Sequence, residues 1–269
     1  SQSINVGTFH AFHGETSKGY AFWRPVIKPW FEKLHGKIAV SKPAMEFVNR
    51  YLPGDYTIIP NGIDLEHFSC DVPPIEEFQD GKLNILFVGR MEKRKGLRYL
   101  LGAYKMIKRE FPNTRLIVVG PGDVAHLDYK RMIQNWVIQD RNLRDVIFTG
   151  YVPYRELPRY YHTADIFCAP ATGEESFGIV LLEAMAASKP IVASNIKGYA
   201  TVISNGVEGL LTEPADEESL AQALTRLIRD SSLREELGAR GRMRVEEYSW
   251  ERVSQRVMDY YEELLNGSR

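Results

Sequence analysis

Cysteine is nearly absent from this chain. The two present, Cys70 and Cys168, stand far apart, with no C-x-x-C spacing and no histidine cluster beside them. That excludes a zinc site of the usual kind and fits a reducing, cytoplasmic setting, with a single disulfide left open. Long apolar runs are also missing. No stretch approaches the roughly 18 apolar residues that a membrane span needs. No basic segment followed by an apolar stretch marks the N-terminus as a secretory signal. An excess of one charge is lacking too. The 34 Lys and Arg against 35 Asp and Glu give a net charge of −1, so no global field draws the chain to nucleic acid. Internal repeats and low-complexity tracts are not found.

What the 269 residues do contain is an alternation. Short β-branched runs at Leu83–Val88, Arg115–Val119, Val146–Thr149, Ile166–Ala169 and Pro190–Ser194 are largely apolar, as strands buried on both faces must be. Between them lie amphipathic stretches: Leu97, Leu100, Leu101, Tyr104 and Ile107 fall on one stripe, as do Leu220, Ala223, Leu224 and Leu227. Strand–helix alternation of this kind predicts an α/β fold with a parallel, doubly wound sheet. Strands are also expected at Asn5–Phe9 and Lys37–Val40, with helices near 23–35 and 42–51. Residues 69–82, rich in Pro, Asp and Glu, read as connecting chain. The expected division is a first lobe over 1–62, a linker over 63–82, a second lobe over 83–247 and a C-terminal helix over 248–269. Two strand–helix units are too few for a whole doubly wound lobe, so the first lobe is expected to be partial and the second complete.

Chemistry concentrates in Ala169–Ala187. A strand ends, a loop carries Gly173, Glu174, Glu175, Ser176 and Phe177, and a helix begins near Gly178 and Ile179. Ligands of open α/β sheets bind at such carboxyl ends, and a helix start offers free N–H groups and partial positive charge to a diphosphate or hydroxyl. Gly178 is expected to admit a ligand close to the backbone. Glu175 and Glu183 are eight residues apart. On a helix the rise alone separates them by roughly 10–12 Å, beyond the about 5–9.5 Å of paired glycosidase carboxylates. They therefore read as two recognition groups, Glu175 for sugar hydroxyls and Glu183 for a ribose diol. The alternative is two solvated glutamates on a helix face.

Gly89–Gly96 follows a strand and precedes a helix, and holds Arg90, Lys93, Arg94 and Lys95. Arg90 and Lys95 are expected to reach the Glu175 crevice and neutralise a departing diphosphate, with Lys93 and Arg94 as a solvated basic turn. No Asp-x-Asp pair occurs to hold a divalent ion on that diphosphate, so no strict metal requirement and no other cofactor is expected. Gly120, in Gly120-Pro121-Gly122-Asp123, is expected at the cleft rim, and Val152 offers its backbone to a planar base. His10 ends the first strand, placed either to hydrogen-bond a reacting sugar or phosphate or simply to close a turn; His13, Thr16 and Lys18 share its loop. In residues 18–37, Trp23, Val26, Ile27, Trp30, Phe31 and Leu34 share a helical face flanked by Lys18, Arg24, Lys28, Lys33 and Lys37. That pattern reads as an interfacial membrane helix, with Trp23, Trp30 and Lys28 as contacts, or as a helix packed on its own lobe. Pro25 and Pro29 are expected to disturb it.

Five segments carry a resemblance: TFH at 8–10, PNGID at 60–64, GRMEKRKG at 89–96, VVGPGD at 118–123 and ESFGIVLLEAMAASKPIVAS at 175–194. Together they resemble the retaining glycosyltransferases with the two-lobed GT-B fold and an E-x7-E motif, often called family 4. Within that family the chain looks most like the phosphatidylinositol α-mannosyltransferases. The resemblance implies that Arg90 and Lys95 hold the donor diphosphate, and that Glu175, Ser176, Ile179 and the backbone of Phe177 and Gly178 surround the sugar. Gly120 joins the donor-binding set. Glu183 is implied at the ribose, Val152 at the base and His10 beside the reacting sugar. It implies a nucleotide-sugar donor, GDP-mannose first, and a lipid-linked acceptor at an anionic membrane face, making the protein cytoplasmic or peripheral. The family's N-terminal glycine-rich loop is missing here, so the resemblance also implies a shortened first lobe. The loop AFHGETSKGY is less polar than in those mannosyltransferases, which leaves the acceptor open. Alternatives are another nucleotide sugar with a polysaccharide or small-sugar acceptor, or a non-catalytic nucleotide-sugar binder. A dinucleotide oxidoreductase would need G-x-G-x-x-G followed by an acidic strand end, which the chain does not offer.

Overall fold

Strands and helices alternate from the first described residues onward. The computed structural model describes residues 3–12, 14, 16–69, 72–122 and 126–267; His13, Cys70 and Asp123 lie outside them. The first lobe comprises β1 (Val6–Phe9), α1 (Lys18–Phe31), β2 (Gly36–Ala39), α2 (Lys42–Tyr51) and β3 (Thr57–Ile58). Its three strands pair in parallel in the order β1-β2-β3. The helix expected over 23–35 starts five residues earlier and contains both prolines. The Ser17 hydroxyl caps it by accepting from the Tyr20 N–H. The prolines are tolerated because they lie on an exposed face, where water replaces the backbone bonds they remove.

The connecting chain is not bare. α3 (Leu65–Ser69) occupies part of 63–82, and Phe68 and Phe78 are buried in the core of the second lobe. That lobe runs β4 (Leu83–Val88), α4 (Leu97–Glu110), β5 (Thr114–Val119), α5 (Leu127–Gln139), β6 (Val146–Gly150), α6 (Leu157–Thr163), β7 (Ile166–Ala169), α7 (Ile179–Ala186), β8 (Ile191–Ser194), β9 (Gly209–Thr212), α8 (Glu217–Arg229) and α9 (Ser231–Val245). Its six strands are parallel, in the order β6-β5-β4-β7-β8-β9. The period-2 alternation splits each strand between two cores. Ile85, Phe87, Leu116, Val118, Ile166 and Cys168 face α4, α5 and α8. Leu86, Ile117, Val119, Phe167, Ala169 and Ile191 face α6 and α7. Covered on both faces, the strands are largely apolar, with buried polar positions such as Asn84 and Arg115 bonded to each other.

The last helix, α10 (Trp250–Gly267), leaves the second lobe and returns to the first. Val253, Val257, Tyr260 and Tyr261 pack on Val6, Ile38 and Ile59, and the Tyr260 hydroxyl accepts from the Lys37 N–H at 3.0 Å. The two chain crossings are stitched together: Ile63 N–H donates to the Tyr248 carbonyl and Trp250 N–H to the Ile63 carbonyl. The strand order thus opens one crevice at the carboxyl edge between β4 and β7, and Phe12 and Gly14 of the first lobe border a crevice with the loop after β7.

Candidate active site

From β4 the chain winds outward to β5 and β6, and from β7 the other way to β8 and β9. Two neighbouring strands that diverge in this way cannot both be covered by the same crossover, and a crevice opens at their carboxyl ends. The loop after β4 (89–96) and the loop after β7 (170–178) form its two walls. They are locked together by the Thr172 N–H, which donates to the Arg94 carbonyl at 2.8 Å.

An alternating chain of charges spans these loops. Glu92, its side chain only 6% exposed, pairs with Arg90 Nε and Arg94 Nε, each at 2.8 Å. Glu175 pairs with Arg94 Nη1 at 2.5 Å and Lys95 Nζ at 2.6 Å. Arg94 is therefore not the solvated turn residue expected from the basic cluster. One guanidinium bridges two carboxylates because its fork geometry satisfies both at once. Neither Arg94 nor Glu92 stands out in a run of charged residues; only the folding of the two loops against each other selects them. Arg90 stays half exposed, its head reaching the rim.

The residues leading into α7 are positioned from below. Phe177 is buried edge-on against Tyr248, with ring centroids 5.7 Å apart. Ser41, at the N-cap of α2 in the other lobe, donates its hydroxyl to the Ser176 carbonyl at 2.5 Å. This cross-lobe bond had no sequence signal beyond a capping serine. Ile179 is exposed, and no side chain caps the helix start. Gly178 has a packing reason of its own. Its φ is +101° and an added Cβ would meet the Tyr199 ring at 2.7 Å. A neighbouring side chain, not open ligand space, occupies that position. Gly120 is similar: a Cβ there would lie 2.0 Å from the Gly89 carbonyl, so its glycine lets the loops after β4 and β5 touch.

Glu183 is not a solvated helix-face glutamate. It is 8% exposed and accepts a hydrogen bond from the Tyr161 hydroxyl at 2.6 Å. Burial raises its carboxyl above the usual value, against the opposing pull of that hydrogen bond. Val152 is half-buried against the core, leaving its backbone in the loop after β6. His10 is exposed at the carboxyl end of β1, beside a cavity of about 230 Å³ that Asn61 and Trp250 also line. Among the described residues, it makes no bond to the charge chain. Its loop approaches instead: Phe12 and Gly14 border a crevice of about 340 Å³ whose far wall is Gly173–Glu175.

On α1 only Phe31 is buried. Phe22, Trp23 and Trp30 are 74%, 53% and 70% exposed, and Val26 and Ile27 are exposed beside them. The stripe is split: Phe31 and Leu34 pack with Val48 and Leu52 of their own lobe, while Trp23, Val26, Ile27 and Trp30 stay exposed. Lys28 pairs with Glu32, and the Lys33 ammonium lies 4.8 Å from the Trp30 ring centre. No helix among the described residues is long and apolar enough to cross a membrane.

Comparison with known proteins adds a family match, a sequence relative and two similar structures. Residues 71–244 match the family model of the glycosyl transferases group 1. The phosphatidyl-myo-inositol mannosyltransferase of Mycobacterium leprae is 35% identical over 262 residues, which cover 96% of this chain and 68% of that protein. Among solved structures, sucrose-phosphate synthase from Thermosynechococcus elongatus is similar at a TM-score of 0.80 and 26% identity, over 97% of this chain and 68% of that one. Anabaena Alr3699/HepE, solved with UDP and glucose, is similar at a TM-score of 0.84 and 19% identity, over 96% of this chain and 71% of that one.

Proposed function

This chain belongs to the glycosyl transferases of group 1, with the two-lobed GT-B architecture, and from that premise we propose that it moves mannose from GDP-mannose to a phosphatidylinositol-type lipid, with retention at the anomeric carbon. The carrying observation is Glu175, held by Arg94 and Lys95 at the switch point of the sheet. The naming of the mycobacterial relative as a phosphatidyl-myo-inositol mannosyltransferase supports the sugar and the acceptor.

In this reading Lys95 and Arg90 turn to the donor diphosphate and Glu175 is released to the sugar hydroxyls. A diphosphate carries more charge than one carboxylate, so it competes well for the ammonium. Ser176, Ile179 and the backbone of Phe177 and Gly178 line the sugar, Glu183 holds the ribose, and Gly120 and the Val152 backbone border the nucleotide. His10 stands beside the reacting sugar. The acceptor oxygen attacks on the face the diphosphate leaves. The C–O bond to the diphosphate breaks, the departing phosphate oxygen takes the acceptor proton, and no protein base is needed. Fixed cations stabilise the leaving group electrostatically, without a metal. Trp23, Trp30 and Lys28 dock the protein at an anionic bilayer surface, where aromatic residues and lysines suit the interface.

Calorimetric titration with GDP-, UDP- and ADP-sugars, with and without magnesium, tests the donor side. Metal-independent binding of GDP-mannose, lost in Lys95→Ala, is expected. Selective binding of UDP- or ADP-sugars would replace mannose transfer by transfer of another sugar.

A further inference from the structure

The 340 Å³ crevice beside Glu175 has a wall that carries none of the residues assigned to the donor above. It is made by Asn195, Ile196 and Lys197, from the loop after β8. This loop is rigid. Ile196 is buried, its N–H donates to the Ser194 carbonyl, and its carbonyl accepts from Ala200. Gly198 packs so closely under the charged loop that a Cβ would lie 2.0 Å from the Glu175 carbonyl. Lys197 is therefore anchored directly beside Glu175, with an exposed side chain. Arg94 and Lys95 are ion-paired to Glu175, whereas Lys197 has no ion-pair or hydrogen-bond partner among the described residues.

The other groups facing this crevice narrow the ligand. Glu174 and Glu175 are carboxylates, and Phe12 and Gly14 come from the opposite lobe. A simple anion would be repelled by Glu174. A polyol phosphate suits the rest: its hydroxyls donate to Glu174, its phosphate lies against the Lys197 ammonium, and a ring face meets Phe12. We propose that this crevice is the acceptor subsite and that Lys197 recognises a phosphate ester on the acceptor. The inference rests on the glycosyltransferase reading above and deepens it. The phosphate ester belongs either to a lipid headgroup or to a free sugar phosphate, since both present the same charge to Lys197.

The test is binding to the protein in the presence of GDP, which fills the donor side. The probes are myo-inositol, myo-inositol 1-phosphate and glycerophosphoinositol, titrated into wild type, Lys197→Ala and Lys197→Arg. The wild type is expected to bind at least one phosphorylated probe about tenfold or more tightly than myo-inositol, Lys197→Ala to lose that preference, and Lys197→Arg to keep most of it. Preference for glycerophosphoinositol assigns the phosphate to a lipid headgroup, and preference for the monoester to a soluble sugar phosphate. In turnover with a phosphorylated acceptor, Lys197→Ala is expected to raise the acceptor KM about tenfold with kcat within about threefold. Equal binding of all three probes, no binding of any, or an unchanged preference in Lys197→Ala would overturn the proposal. GDP binding in the same titrations reports on the donor reading separately.

Discussion

Lys95 and Glu175 stand 2.6 Å apart, ammonium to carboxylate, on loops that follow two different strands of the sheet. Each is the group proposed to meet a different part of the donor, and each is already oriented by the other.

Replacing either one should therefore abolish more than a contact. Glu175→Ala and Lys95→Ala are each expected to lower kcat by about 10²–10³-fold, the usual cost of removing one electrostatic stabiliser, with an unchanged circular-dichroism spectrum. Because the two are paired, the double variant should lose less than the product of the single losses. Wild-type turnover in both single variants would remove them from the mechanism.

Arg94 separates from its neighbours by structure alone. Arg94→Ala leaves Glu92, a buried carboxylate, with one cation fewer and frees Glu175 from half its anchorage. A stability loss of about 1–3 kcal/mol is expected, the range for an uncompensated buried polar group, together with a fall in kcat. Lys93→Ala, one residue earlier, should change neither. Chemical denaturation and steady-state rates on the two variants decide the matter.

Glu183 makes the stability depend on pH in a definite direction. Its folded-state pKa is raised by burial, so the folded chain holds the proton more tightly than the unfolded one. Its contribution is fully present below the ordinary carboxylate range and is lost as pH rises through the raised folded value. Glu183→Gln keeps an acceptor for the Tyr161 hydroxyl and removes the titration. The Tm of the variant relative to wild type should therefore rise between pH 4 and pH 7. A difference that shrinks over that range would contradict the assignment.

The exposed face of α1 gives a prediction at the membrane. Replacing Trp23 and Trp30 by Ala should weaken binding to vesicles containing phosphatidylserine or phosphatidylinositol by about tenfold or more, since burying each indole in the interface is worth on the order of 1 kcal/mol or more. Binding by the parent protein should fall as salt is raised, because the basic flanks contribute through a screened attraction. Unchanged vesicle sedimentation would show that this face serves something other than lipid.

Parts of this protein are legible in the residue order. The runs at Leu83–Val88 and Ile166–Ala169 coincide with their strands, because a strand buried on both faces leaves a largely apolar stretch. β9 (Gly209–Thr212) is not legible in the residue order, since its four residues sit between polar turns and are too short to show a period. Glu175, Lys95 and Arg90 could be proposed from their places after strands. Arg94 and Lys93 could not be told apart, because adjacent basic residues look alike until a turn sends one side chain inward and the other to water.

Local order and hydrophobic period alone determined the α/β alternation, the parallel second sheet and the position of the acidic loop, since each depends on residues close in the chain. Tertiary structure decided the rest. Gly178 and Gly120 are glycines because of Tyr199 and the Gly89 carbonyl, Ser41 reaches Ser176 across the lobes, and Glu183 is buried against Tyr161. Those partners are 21 to 135 residues distant in the chain or belong to another loop. Charge and burial at a site depend on which groups the fold brings within a few ångströms, and residue order carries no record of that until the sheet has formed.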